Sequence, residues 1–178
     1  MSETRVRIGL CNPKNPSNVG AVMRAAGCFR AEAVFYTGQR YARAARFNTD
    51  TKNVSRNIPL TGVDRLLDDL PADMKIVCVE LVEGAIPLPQ FQHPDQAFYI
   101  FGPEDGTLDQ AVIDRADAVV YVPTVGSLNL AAAVNVILYD RIAKSGATLA
   151  NDELIRQSRD RNNNVKVGKR GLGVGTQS

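Results

Sequence analysis

Three short segments combine residue types that could manage charge and backbone donors around a ligand. The first is Asn18-Val-Gly20-Ala-Val-Met-Arg24. As a helix it buries the stripe Val19, Val22, Met23 and Ala26 and puts Gly20 and Arg24 on another face, with Arg24 leaning back toward the loop at Asn18. Glycine costs a helix about 1 kcal/mol against alanine, so either helix packing or a close approach from outside accounts for Gly20. The second segment is Phe101-Gly102-Pro103-Glu104-Asp105-Gly106. Two glycines flanking an acid after an apolar run make a tight loop whose amides can face a ligand, or an ordinary turn into a helix capped by Asp109. The third is Val122-Pro123-Thr124-Val125-Gly126-Ser127-Leu128-Asn129, which leads into Ala131, Ala132 and Ala133. Its plainest reading is a core helix capped by Ser127. Asn129 and Asn135 are then polar residues in an apolar helix and need partners.

Other chemistry is struck out by what the chain lacks. The single histidine, His93, lies in the Pro-flanked stretch FQHPDQ and is expected at the surface, which removes His-based triads and most zinc chemistry. Cys11, Cys28 and Cys78 are odd in number and widely spaced, so neither a disulfide framework nor a metal site is expected. No phosphate-binding G-x-x-x-x-G-K-[ST] loop occurs, and Gly171, Gly173 and Gly175 lack the preceding strand of a dinucleotide fingerprint. What remains for an enzyme is a reaction that asks for positioning and charge management, such as transfer of an already activated group.

The elements that must hold these segments alternate. Strands are expected at 5–11, 33–37, 58–60, 75–82, 96–102 and 118–122, and helices at 18–29 (capped by Ser17 or Asn18), 39–47, 63–70, 109–116 and 128–144. That alternation predicts an α/β fold with a mostly parallel sheet, whose ligands bind beyond the carboxyl ends of the strands. All three segments follow expected strands.

The chain has 178 residues and a net charge of +2. That length suits one domain, expected over residues 1–160, followed by a flexible basic tail at 161–178. The small net charge hides a partition: residues 1–56 balance to +7, 57–117 to −9 and 118–178 to +4. Basic ends around an acidic middle suit either a polyanion-binding face or unevenly charged solvated surfaces. Within the first third, Arg40, Arg43, Arg46, Lys52 and Arg56 form the densest basic run and the candidate track for a polyanion. No apolar run approaches the roughly 20 residues of a membrane helix, and the start MSETRVRIGL has no signal-peptide core. A cytoplasmic protein without membrane or metal partners is expected.

Taken together and in order, the three segments resemble the motifs of the TrmH/SpoU branch of the SPOUT RNA methyltransferases. The first motif, N-x-G-x-x-x-R, matches Asn18, Gly20 and Arg24; the second, a glycine loop with a central Glu, matches Gly102 and Glu104, with Gly106 one place early. The third matches Val122, Pro123, Gly126, Ser127, Leu128 and Asn129, although many relatives have about three more residues between the proline and the serine. The resemblance covers about residues 5–145. It implies a SPOUT-type α/β fold with a deep C-terminal trefoil knot, a homodimer packed through the helix at 128–144, and S-adenosylmethionine as cofactor. It further implies methylation of an RNA ribose 2′-hydroxyl, with tRNA favoured over rRNA because the chain is minimal. By resemblance Arg24 is the catalytic residue, Asn18 shapes its loop, and Ser127 and Asn129 orient it; Gly102, Glu104, Gly106, Val122, Pro123, Ser127 and Leu128 hold the cofactor. Under the same resemblance Arg40, Arg43, Arg46, Lys52 and Arg56 become the track for RNA phosphates, which would position RNA without reading its sequence. Base methylation, a non-catalytic RNA-binding dimer and a Rossmann-like small-ligand binder are the competing readings.

Overall fold

The first apolar run sets the position of the sheet. In β1 (Arg5–Leu10), Val6, Ile8 and Leu10 are buried on one face, while Arg5 and Arg7 both pair with Glu32, at 3.3 and 2.9 Å. The structure, a computed structural model, describes residues 4–46, 57–146 and 150–168. It divides into two units, Met1–Gly146 and Ala147–Ser178. The first holds β1, α1 (Pro16–Cys28), β2 (Ala33–Tyr36), α2 (Arg40–Ala45), β3 (Leu60–Gly62), β4 (Lys75–Val79), β5 (Ile86–Pro87), β6 (Gln96–Phe101), α3 (Gln110–Arg115), β7 (Ala118–Tyr121) and α4 (Leu130–Lys144). The second holds α5 (Asp152–Ser158), capped by Asn151 with acids in its first turn and Arg156 in its last, as the helix dipole favours.

The seven strands lie in the order β3-β2-β1-β6-β4-β7-β5, and every pairing among the described residues is parallel. Side chains alternate across the sheet. On one face Tyr99, Phe101, Val77 and Val120 pack with α1 and α4 through Val19, Val22, Ala26, Val134, Ile137 and Leu138. On the other, Ile76, Cys78, Phe98 and Ile100 pack with Leu66, Leu67 and the half-buried Val112 and Ile113 of α3. Truncating a fully buried residue such as Ile8 or Ile137 to alanine would cost about 2–5 kcal/mol. A parallel sheet places every strand's carboxyl end on one edge, so the loops after β1, β2, β4, β6 and β7 emerge there together.

Several elements differ from the sequence expectation, each for a local reason. Helix α1 starts at Pro16, not Asn18, because Asn15 is the cap: its side chain accepts from the Ser17 amide at 2.8 Å and proline suits the first turn. No helix forms over 63–70. Its eight residues include the pair Asp68-Asp69, which favours a turn; Asp69 takes a left-handed φ of 59°, while Leu66 and Leu67 still reach the core. Strand β4 stops at Val79 rather than Val82, since the chain turns at Glu80, whose carboxylate accepts from the Leu81 amide. The short β5 and the 3-10 turn Leu88–Gln90 that follows it carry two prolines and too few residues for a periodic signal. The expected strand at 58–60 is β3, two residues later, and the described part of the helix expected at 39–47 is α2.

Candidate active site

One carboxylate links the three segments. Glu104, in the loop after β6, accepts from the backbone amides of Lys14 at 2.9 Å and Asn15 at 3.3 Å, just ahead of α1. Its Oε1 also accepts from Asn18 Nδ2 at 3.3 Å. Asn18 turns its own oxygen to Asn129, whose Nδ2 donates to it at 3.2 Å. Asn129 in turn accepts from the Ala131 amide at 2.9 Å and so caps α4, the role expected of Ser127. Asn18, Glu104 and Asn129, 111 residues apart at the extremes, form one continuous network. Burial alone would raise the Glu104 carboxyl, but the hydrogen bonds from backbone amides and Asn18 outweigh it and hold the group below the usual carboxylate range. Asn135, the other polar residue of α4, is satisfied within the helix by the Ala131 carbonyl at 2.8 Å.

Beside this network lies a cleft at the carboxyl edge of the sheet. Its walls include Gly102, Glu104, Gly106, Val122, Ser127 and Leu128, six of the seven expected cofactor-holding residues; Pro123 is not among the lining residues. Val79, Glu80 and Leu81 come from the end of β4, and Leu130 and Ala133 from α4. A Cβ on Gly102 would sit 2.8 Å from Glu80 Oε2 and would push that carboxylate aside. The same Glu80 oxygen accepts from the Leu108 amide at 3.1 Å and ties β4 to the far end of the loop. Glu80 was hidden in sequence inside a run read as continuous strand; an acid at the end of that run was its only signal. Gly126, with φ of 89°, supplies the left-handed turn that lets the loop after β7 reach Asn129. The cleft thus has two carboxylates, apolar walls and no Lys or Arg among its lining residues.

Arg24 does not join the network. It lies about 9 Å along α1 from Asn18 at 1.5 Å per residue. It is exposed and, among the described residues, has no hydrogen-bond or ion-pair partner. Gly20 faces open space: among the described residues beyond its own helix backbone and chain neighbours, no atom lies within 4 Å of where a Cβ would stand, so packing against them does not explain it. In the basic run, Arg40 forks onto Asp105 at 2.7 and 3.0 Å and Arg43 donates to Gln39 at 2.9 Å. Arg46 has no partner among the described residues, and Lys52 and Arg56 lie outside them.

The remaining reactive side chains are accounted for structurally. Burial, aided by the negative charges of Asp109 and Glu80, pushes the Cys11 thiol up to about 11. Burial, with Cys11 and Glu80, pushes Cys78 to about 12. Both are protonated at neutral pH and unsuited to nucleophilic work. His93 is not the surface residue its flanking proline suggested: its side chain is 5% exposed, between the Tyr99 hydroxyl at 2.6 Å and Asp140 at 2.7 Å. Among the described residues no three His, Cys, Asp or Glu side chains gather as a metal site would need.

The comparisons with known proteins follow this geometry. A family profile described as the SpoU rRNA Methylase family matches residues 5–139. No curated protein matches the sequence. Among solved structures, the SpoU methyltransferase AviRb from Streptomyces viridochromogenes, in complex with AdoMet, is 21% identical over 83% of this chain with a TM-score of 0.65. This chain spans only 60% of AviRb. The A. aeolicus TrmH/SpoU tRNA modifying enzyme is 17% identical over 87% of both chains, with a TM-score of 0.64. A structure described for the 2-OH methylation of C/U34 on tRNA is 23% identical over 79% of this chain and 96% of its own, with a TM-score of 0.65. At these identities the likeness is one of fold.

Proposed function

The chain belongs to the SpoU rRNA methylase family, and from that premise we propose that it is an S-adenosylmethionine-dependent RNA methyltransferase acting on a ribose 2′-hydroxyl, with tRNA the favoured substrate. The observation that carries this reading is the Asn18–Glu104–Asn129 network, which draws all three motif segments to the rim of one cleft. Two structural neighbours matched over 87% and 96% of their own chains are described for tRNA, which supports tRNA over rRNA.

The cleft fits the proposed cofactor. When bound, S-adenosylmethionine supplies an electrophilic methyl on a sulfonium cation. Walls with two carboxylates and no basic side chain favour a cation, and the apolar surfaces of Leu81, Leu128, Leu130 and Ala133 suit a flat base. Glu80 and Glu104 brace the loop that carries Gly102 and Gly106, and Asn129 fixes the start of α4 beside it. The protein's task is then to hold the ribose oxygen in line and help its proton leave. An arginine stays protonated in proteins, so Arg24 serves best as a clamp on the phosphate beside the target ribose, with that phosphate or water taking the proton. Among the described residues it has no partner, which leaves it free to do so.

Two further features belong to this proposal. The exposed apolar residues Val136, Tyr139 and Ile142 recur every third residue along α4, which supports a homodimer packed through that helix. Strand β7 lies between β4 and β5, both earlier in the chain, a strand order that suits the proposed trefoil knot. Incubating the protein with methyl-labelled S-adenosylmethionine and either total tRNA or total rRNA tests the reading. Label is expected in tRNA; label in rRNA alone reassigns the substrate, and label in neither removes the activity.

A further inference from the structure

The sequence offers Arg40 as part of a phosphate track, but its surroundings give it other work. Arg40 is the first residue of α2. Nη1 and Nη2 donate to the two oxygens of Asp105 at 2.7 and 3.0 Å, and Nη2 donates again to the Asn12 carbonyl at 2.6 Å. The side chain is 34% exposed, while its Nε is covered and unpaired among the described residues. Asn12 itself holds a left-handed φ of 44°, which asparagine adopts more readily than most residues with a side chain. It is tied to the loop after β2 by a bond from its amide to the Thr37 hydroxyl at 3.1 Å. Two residues on, Lys14 and Asn15 give their amides to Glu104, the neighbour of Asp105.

These contacts close a ring: Asn12 to Arg40, Arg40 to Asp105, and Glu104 back to Lys14. The ring joins the loops after β1, β2 and β6. The loop after β1 leads into Asn18 near the start of α1, and the loop after β6 carries Gly102, Glu104 and Gly106, which line the cleft. An isolated exposed ion pair would matter little. Here one planar fork makes three directed bonds at once, a geometry a lysine ammonium does not reproduce. We propose that Arg40 is a positioning residue of the methyl-transfer site: through Asp105 and Asn12 it fixes the loop that walls the cofactor cleft, and it does not contact RNA. Arg43, held among the described residues only by the N-cap residue Gln39, and Arg46 are left to face a polyanion. The inference rests on the function proposed above for its meaning, but its geometry can be tested without that function.

The test compares Arg40→Lys, Arg40→Ala, Asp105→Asn and the Arg40→Lys/Asp105→Asn double variant with the full-length wild type. Amide hydrogen exchange is read at residues 12, 14, 15 and 104–106, S-adenosylmethionine affinity by calorimetry, and the salt dependence of total-tRNA binding by titration. Both conservative single variants are expected to speed exchange in both loops by about tenfold, and the double variant by no more than either, the non-additivity expected of partners in one network. S-adenosylmethionine affinity should fall in parallel, and the salt slope should stay as in wild type. Unchanged exchange in Arg40→Lys, or a salt slope reduced by about one contact in Arg40→Ala, would overturn the inference and return Arg40 to the RNA surface. Wild-type protein that binds no S-adenosylmethionine would instead remove the proposed function, and loop exchange would still decide the role of Arg40.

Discussion

Single residues divide here between those that hold the site and those that act in it. Asn18, Glu104 and Asn129 are satisfied by one another, whereas Arg24 is exposed and unpaired among the described residues. Replacing Arg24 by alanine should therefore abolish methyl transfer while leaving melting temperature and S-adenosylmethionine affinity close to wild type; near-normal turnover would take Arg24 out of the mechanism. His93 makes a different kind of statement. Arg141 donates to the Tyr99 hydroxyl at 3.0 Å, so that hydroxyl's proton is free for His93 Nδ1, and the imidazole keeps its own proton on Nε2 for Asp140. Burial lowers the imidazole below its usual value, outweighing the pull of Asp140, and the charges of Arg141 and Lys144 lower it further. The unfolded chain then takes up a proton first, as pH falls through about 6.5. Stability is full above that pH and falls below it. Melting temperature should drop between about pH 7 and pH 5, and His93→Gln should flatten that drop; an unchanged profile would place the sensitive group elsewhere. The sequence could show His93's neighbours in the chain, Pro94 above all, but not that Asp140, 47 positions later, would help enclose it.

At the scale of elements, local chemistry was legible and three-dimensional substitution was not. The apolar stripe of α1 was readable from Val19, Val22 and Ala26 because helical periodicity is a property of the sequence itself. The caps were misplaced by two or three residues, since Asn15, Ser17 and Asn18 are all competent caps and only the path of the preceding loop chooses among them. Likewise Ser127 and Asn129 could each begin α4, and the left-handed turn at Gly126 decides for Asn129. The basic run read as a single track because charge is visible in sequence and ion pairing is not: Asp105, which engages Arg40, lies 65 residues away. Among the described residues of that run, Arg43 and Arg46 remain for a polyanion. Neutralising both with glutamine should lower the slope of log affinity for tRNA against log salt by about two contacts' worth. An unaltered slope would remove α2 from the RNA surface.

For the whole molecule, the parallel sheet was foreseeable from alternation, while its strand order was not, because β5 is only two residues long and β7 pairs with strands on either side that precede it. The same sheet explains why three motifs scattered from Asn18 to Asn129 meet: each follows a strand, and every strand ends on the same edge. The exposed stripe on α4 extends the argument beyond one chain. If it is the dimer seam, Tyr139→Lys should shift the protein from dimer to monomer in sedimentation at micromolar concentration, while a wild type already monomeric there would dismiss the seam. The central claim is that the cleft and Arg24 together direct a methyl group to a ribose oxygen. Digesting RNA methylated by the purified protein to nucleosides and locating the methyl by mass spectrometry tests it most directly. A 2′-O-methylated nucleoside, absent with Arg24→Ala, is the predicted result; a methyl on the base, or the same product from the Arg24→Ala variant, would contradict it.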